Sequence, residues 1–160
     1  MLLTAFYFFD LLPFAIFFGI AVYMWMAPYY KKLSARAFTE FFQGVDPYMK
    51  IWARNLVLAE LLLSLTIAVV HTSKGQWAGA SLAFVVFLTA VASLVIAVRG
   101  NVPLNIIMTT WDPRSPPADW AVIRDRWFTF HHWRGCVETL GFLLLLIGAF
   151  CYLAKDAAGT

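Results

Sequence analysis

Four apolar stretches, Leu2–Ala27, Ile51–His71, Trp77–Val98 and Phe130–Ala154, dominate this chain of 160 residues. Each runs to about twenty residues or more, enough for a helix rising 1.5 Å per residue to cross a hydrocarbon layer roughly 30 Å thick. In such a layer a spanning segment must satisfy its backbone N–H and C=O groups internally, which makes these stretches helices. The expected fold is all-α: an integral membrane four-helix bundle forming a single transmembrane domain over 1–160, with spans at 2–27, 51–71, 77–98 and 130–154. Composition points the same way, at 62% hydrophobic and 13% charged residues, against about half and a quarter in soluble domains. So short a chain has little interior in which to bury that surplus. A free soluble globule, a disordered chain, a disulfide-rich secreted module and a nucleic-acid-binding domain are excluded.

The first stretch lacks a basic leading region, is too long for the apolar part of a signal peptide, and carries Asp10 and Pro13; it reads as a retained span. Lys31, Lys32, Arg36, Lys50 and Arg54 cluster around the first link, and Arg99, Arg114, Arg124, Arg126 and Arg134 around the third. Only Lys74 and Lys155 lie on the other side. Ten basic residues against two place both long links in the cytoplasm and both termini outside. That pattern suits a bacterial inner membrane. Trp25, Trp52, Trp77 and Trp127 sit near span ends, where an aromatic belt belongs.

In the first link Ser34 reads as an N-cap. Phe38, Phe41, Phe42 and Val45 follow at helical spacing, which predicts a short amphipathic interfacial helix ended by Asp46-Pro47. The third link carries the turn-forming run Trp111-Asp112-Pro113-Arg114-Ser115-Pro116-Pro117, with helix resuming from Ala118 near Asp119. Cys136 and Cys151 lie about 22 Å apart along one helix, too far for a disulfide.

Ionisable groups inside a span are expensive and mark functional sites by default. Asp10 lies about 12 Å along the first span and Glu60 about 14 Å along the second from the opposite side, both near mid-depth. Asp10 fits either a buried position or a wet one near the outer surface. Glu60 fits either a partner for Arg134 or an acid facing a substrate. His71 reads as interfacial. On the last helix Arg124, Trp127, His131, Arg134 and Glu138 share one face, a polar stripe running from the cytoplasmic surface into the bilayer. Arg134 and Glu138, four apart, can pair directly and bury both charges. His131, one turn above, is suited to proton transfer near neutral pH, whereas His132 lies about 100° round the helix at the interface. No cofactor or metal motif is present. The remaining options, without a motif behind them, are a haem or a single metal ion at His131, the metal with Glu60 and Glu138.

Arg99-Gly100-Asn101-Val102-Pro103-Leu104-Asn105 and, further on, Trp127-Phe128-Thr129-Phe130-His131-His132-Trp133-Arg134 carry a family resemblance. The chain resembles the anthrone oxygenase-like family of small four-span membrane proteins, many of unknown function. Its hallmark is Asn-x-Pro-x-Asn followed by Trp-x-x-x-His-x-x-Arg at the head of the last span. Asn101, Pro103 and Asn105 match the first motif; Trp127, His131 and Arg134 match the second. Span number, loop lengths and motif order extend the likeness over nearly the whole chain. Phe128 stands where the family commonly has Asn, Glu138 where it is usually apolar, and His132 and Trp133 make the segment more aromatic.

The resemblance implies a cofactor-independent oxygenase acting on a hydrophobic aromatic substrate. His131 would be the base, Arg134, Asn101 and Asn105 the oxyanion shell, and Trp127 and Trp133 surfaces for a flat ligand, with Glu60 and Glu138 beside it. Pro103 would break the helix after Val98 and free backbone to line a cavity. The alternative is a non-catalytic accessory subunit of a larger membrane complex, or a hydrophobic-ligand binder. Small-residue runs such as Gly79-Ala80-Ser81 suit packing against other membrane subunits or self-association.

Overall fold

In the computed structural model residues 2–26 and 28–158 are described, and they form an all-α bundle. The helices are α1 (Leu2–Met26), α2 (Ala35–Ser73), α3 (Trp77–Ile96), α4 (Val102–Thr109) and α5 (Trp120–Ala158). A 3₁₀ turn at Pro28–Lys32 leads into α2, and a π-helical turn at Ala97–Asn101 joins α3 to α4. Four segments, Leu2–Met26, Ala35–Ser73, Trp77–Thr109 and Trp120–Lys155, are long and apolar enough to cross a membrane. Ala27, the expected end of the first span, lies outside the described residues.

Packing closes a ring: α1 lies against α2, α2 against α3, α3 against α5, and α5 against α1. The main core is built from Leu3, Tyr7, Phe14, Ile67, Val86 and Leu145, with Ala68, Ala83, Ala90 and Ala149 where helices close up. Phe8, Leu62, Val69, Leu88, Leu143 and Phe150 face outward, as in a bundle whose surroundings are apolar. Gly141 shows why α5 approaches so closely: a Cβ there would stand 2.5 Å from the Phe14 ring and 2.4 Å from Thr89 Oγ1.

At 39 residues each, α2 and α5 are about 58 Å long, nearly twice the bilayer core. Their amino-terminal halves project together at the end of the bundle where α4 lies. There a second apolar cluster gathers Phe38, Phe42, Leu104, Met108, Trp111 and Phe128.

This second core corrects one expectation. The amphipathic segment after Ser34 is helical, and Ser34 Oγ accepts from the Ala37 N–H as a cap, but it is not a separate interfacial helix. It runs through Asp46-Pro47 into the second span as one helix. Pro47 removes a single backbone bond while its ring faces outward; Phe38 and Phe42, fixed in the second core, hold the axis. The break expected at Pro103 is likewise no loop. It takes the form of the π-helical turn, with Pro103 in the first turn of α4, where a missing N–H costs little. Gly100 in this turn is buried against Phe130, whose ring atoms lie 2.3–2.8 Å from where a Cβ would be.

Candidate functional site

The polar stripe of α5 faces inward, as its spacing predicts, but its partners differ down its length. At the α4 end Arg124 is buried. Its guanidinium lies 4.6 Å from the Trp120 ring centroid and donates to Asp125 at 3.0 Å and to the Lys31 carbonyl.

One turn on, Trp127 is held from three sides. Its Nε1–H donates to Asn105 Oδ1 at 2.6 Å, and its carbonyl accepts from Asn101 Nδ2 at 3.2 Å. Its ring meets Phe42 edge to face. Asn105 Nδ2 in turn donates to Asp46 Oδ1 at 2.9 Å. Nearby, Gln43 Nε2 reaches the carbonyls of Met108, Thr109 and Trp111, which close α4. The two motif asparagines therefore stitch α4 to α5 and α2. Asn105 engages both ends of its amide, while Asn101 keeps a buried Oδ1 with no partner among the described residues.

His131 is partly buried and seated on Trp127, the ring centroids 4.0 Å apart. One turn deeper, Arg134 stands over the Phe17 ring at 5.1 Å and donates from Nε to Ser93 Oγ at 3.3 Å. Ser93, fully buried on α3, donates to Glu138 Oε1. The expected direct Arg134–Glu138 pair is thus corrected: among the described residues no carboxylate oxygen comes within 4.0 Å of the guanidinium nitrogens. A serine hydroxyl stands between the two charges instead.

Below this link lies a group of acids that the apolar surroundings leave bare. Asp10 and Glu60 are fully buried, and among the described residues no N–H or hydroxyl donates to either carboxyl or to Glu138 Oε2. The Glu60 and Glu138 carboxyls face each other at hydrogen-bond range, so that a proton on one can bond the other. Glu60 lies within electrostatic reach of Glu138, Arg134 and Asp10. Asp10 is therefore buried rather than exposed near the outer surface, and Glu60 faces the bundle interior within electrostatic reach of Arg134 without an ion-pair contact to it.

His71 lies in the last turn of α2, at the span end where an interfacial residue is expected, but its side chain turns into the bundle. It is 4% exposed, with Nε2 bonded to the Tyr7 hydroxyl at 2.8 Å and Nδ1 to Gln76 Oε1 at 2.7 Å. Gly79 lies directly beneath the ring, so this member of the small-residue run packs within the chain.

Outside the stripe, an open groove of about 410 Å³ runs along the α1/α5 face, lined in part by Trp25, Lys31, Asp125, His132, Trp133 and Cys136. Trp133 and His132 open onto it rather than toward His131, and Trp25 stacks obliquely on His132 at 6.0 Å. Cys136 and Cys151 are free and exposed. Among the described residues no three His, Cys, Asp or Glu side chains converge as metal ligands.

Ser93, Tyr7, His71, Asp46 and Gln43 are the polar residues that sequence reasoning passed over as site components. Ser93 had a signal, being a hydroxyl inside an apolar span. Searches against family models, curated proteins and solved structures find no match to the chain.

Proposed function

We propose that this is an integral membrane protein whose α5 stripe carries proton-transfer chemistry on a hydrophobic aromatic substrate, of the oxygenase type that its motifs suggest. The observation that carries the reading is the stacked order of His131 above Arg134, with His131 set on the pinned Trp127 indole. A base thus lies one turn from a fixed cation. His131 would take a proton from an acidic methylene of the substrate. The resulting carbanion would reduce dioxygen and combine with it, and loss of water would leave a carbonyl in place of the methylene. Arg134 would hold the negative charge between those steps. Asn101 and Asn105 serve this site by fixing Trp127 rather than by binding the oxyanion. No metal or organic cofactor enters the scheme. Both termini lie outside and both long links in the cytoplasm of a bacterial-type inner membrane, so substrate arrives laterally from the bilayer.

Purified protein in lipid nanodiscs should accelerate oxygen uptake with an anthrone or a related hydroquinone. His131→Ala should cut that rate by about a hundredfold or more, the usual range for losing a general base. His132→Ala should leave it within a few fold. No acceleration over protein-free nanodiscs would sink the reading. Loss with His132→Ala instead would move the chemistry to the α1/α5 groove. Orientation is tested separately in a Cys136→Ser, Cys151→Ser background: Lys74→Cys should react with an impermeant thiol reagent in intact cells, and Ser115→Cys should not.

A second reading, an accessory subunit or hydrophobic-ligand binder, draws on the α1/α5 groove and its aromatic rim. Copurification with other chains in mild detergent, without catalysis, favours it.

A further inference from the structure

A hydrogen-bonded chain of polar groups leads inward from the α2–α3 end toward the buried acids, and nothing in the chemistry at His131 requires it there. Gln76, exposed at the start of α3, meets His71 Nδ1 at 2.7 Å. An amide oxygen can only accept, so His71 carries its proton on Nδ1 and presents the Nε2 lone pair to the Tyr7 O–H at 2.8 Å. Tyr7 is 4% exposed, flanked by the Tyr152 ring at 5.8 Å, with Cys151 near. Asp10 follows three residues along α1, on the same helical face as Tyr7 and within its electrostatic reach. Beyond it come Glu60, Glu138 and Arg134, also within mutual reach.

The charge balance of this interior is uneven. Asp10, Glu60 and Glu138 face one guanidinium, that of Arg134. Ionised carboxylates with no hydrogen-bond donors are too costly to keep in an apolar interior. Neutrality at mid-depth takes two further positive charges, and the chain supplies no other cation there among the described residues.

We propose that the bundle is a proton-loading half-channel: protons pass between solvent at the α2–α3 end and Asp10 through the Gln76–His71–Tyr7 chain, and onward to Glu60 and Glu138. On the outward leg the Asp10 carboxyl gives its proton through water to the Tyr7 oxygen as the Tyr7 hydroxyl proton moves to His71 Nε2. The imidazolium so formed releases the Nδ1 proton to water beside Gln76. The inward leg reverses each transfer. Each leg moves one proton and leaves His71 in its other tautomer, which the opposite leg restores; no electrons are exchanged, and Arg134 closes the path toward the α4 end by its fixed positive charge. The steps from Tyr7 to Asp10 and from Asp10 to Glu60 both exceed a direct hydrogen bond, and the proposal places water in each.

The test uses full-length protein in nanodiscs and infrared spectroscopy of the carboxylic-acid C=O stretch. A protonated-carboxyl band should be present at neutral pH, lose intensity in Asp10→Asn, and shift on transfer to deuterium oxide. Tyr7→Phe, which removes only the hydroxyl, should slow that isotope shift tenfold or more without reducing the band. His71→Phe should slow it as well. If Asp10→Asn does not fold, Asp10→Glu should displace the band instead. A wild-type spectrum with no such band overturns the proposal, as does an isotope shift equally fast in Tyr7→Phe. Removal of the band by sodium at constant pH would assign the two charges to bound cations and also overturn it. None of these readouts depends on a substrate, so they stand or fall apart from the oxygenase reading.

Discussion

Replacing Ser93 by Ala isolates the link between the two charges of α5. The hydroxyl has one donor and two acceptor positions, and uses them to donate to Glu138 Oε1 and accept from Arg134 Nε. Alanine leaves both charged groups short of a partner at a position from which Ser93 excludes solvent. Hydrogen bonds to charged groups contribute about 1.5–3 kcal/mol in soluble proteins, whereas polar contacts between membrane helices average about 0.6 and reach about 1.7 kcal/mol. The Glu138 bond belongs near the upper membrane value and the longer Arg134 bond near the mean, which gives a loss of about 2 kcal/mol. A direct Arg134–Glu138 contact across one helical turn would recover only about 0.2–0.5 kcal/mol. Reversible unfolding in mixed lipid–detergent micelles titrated with SDS measures this. Ser93→Ala in a Glu138→Gln background should then lose less than half as much, since the charged acceptor is already gone. A loss below about 0.5 kcal/mol in the single variant would refute the reasoning, because the two charges would then pair as the sequence spacing alone suggests.

Gly100→Ala pushes a methyl group into the Phe130 ring. It should destabilise the fold by about 1–3 kcal/mol, the range for overpacking, read as a lowered unfolding midpoint; Phe130→Leu in the same chain should restore part of it. Trp127→Phe keeps the ring against His131 but deletes the N–H that reaches Asn105. It should cost about 1 kcal/mol and, since the indole fixes the platform under His131, lower any activity more than stability. Equal activity in Trp127→Phe would show that the platform is not used.

The four membrane-length helices are legible in the sequence because hydropathy and helix length are local properties, and each α5 residue on the polar stripe falls inward as its spacing requires. The departures arise where distant segments decide the outcome. His71 sits at the end of its own span, which by itself marks an interfacial residue; it is buried because Tyr7, 64 residues away, offers it a hydroxyl. Pro47 marks a helix end by local rule, yet α2 continues because Phe38 and Phe42 are already committed to a core with Met108 and Trp111. Arg134 and Glu138 have pairing spacing, and only the arrival of Ser93 from α3 separates them. The Asn-x-Pro-x-Asn segment was readable as a motif but not as a clamp, since its partners Asp46 and Trp127 come from two other helices.

The distribution of satisfied and bare polar atoms divides the molecule by role. At the α4 end Asp46, Asn105 and Trp127 are tied into one network and Gln43 is spent on the carbonyls that close α4, and groups so engaged have little capacity left to bind a ligand. They fix geometry. Unpartnered buried oxygens concentrate at mid-depth, on Asp10, Glu60 and Glu138, with Asn101 Oδ1 beside the π-helical turn. A structural role for these three acids would require fixed donors to hold them, and among the described residues the only ones are the Ser93 hydroxyl on Glu138 and, once one of the pair carries a proton, the facing carboxyl of Glu60 or Glu138. Retaining three carboxyls in an apolar bundle with so few fixed donors makes sense when the rest of their hydrogen-bonding capacity is filled by something that comes and goes. Protons are the smallest such species, and the His71–Tyr7 pair gives them a way in.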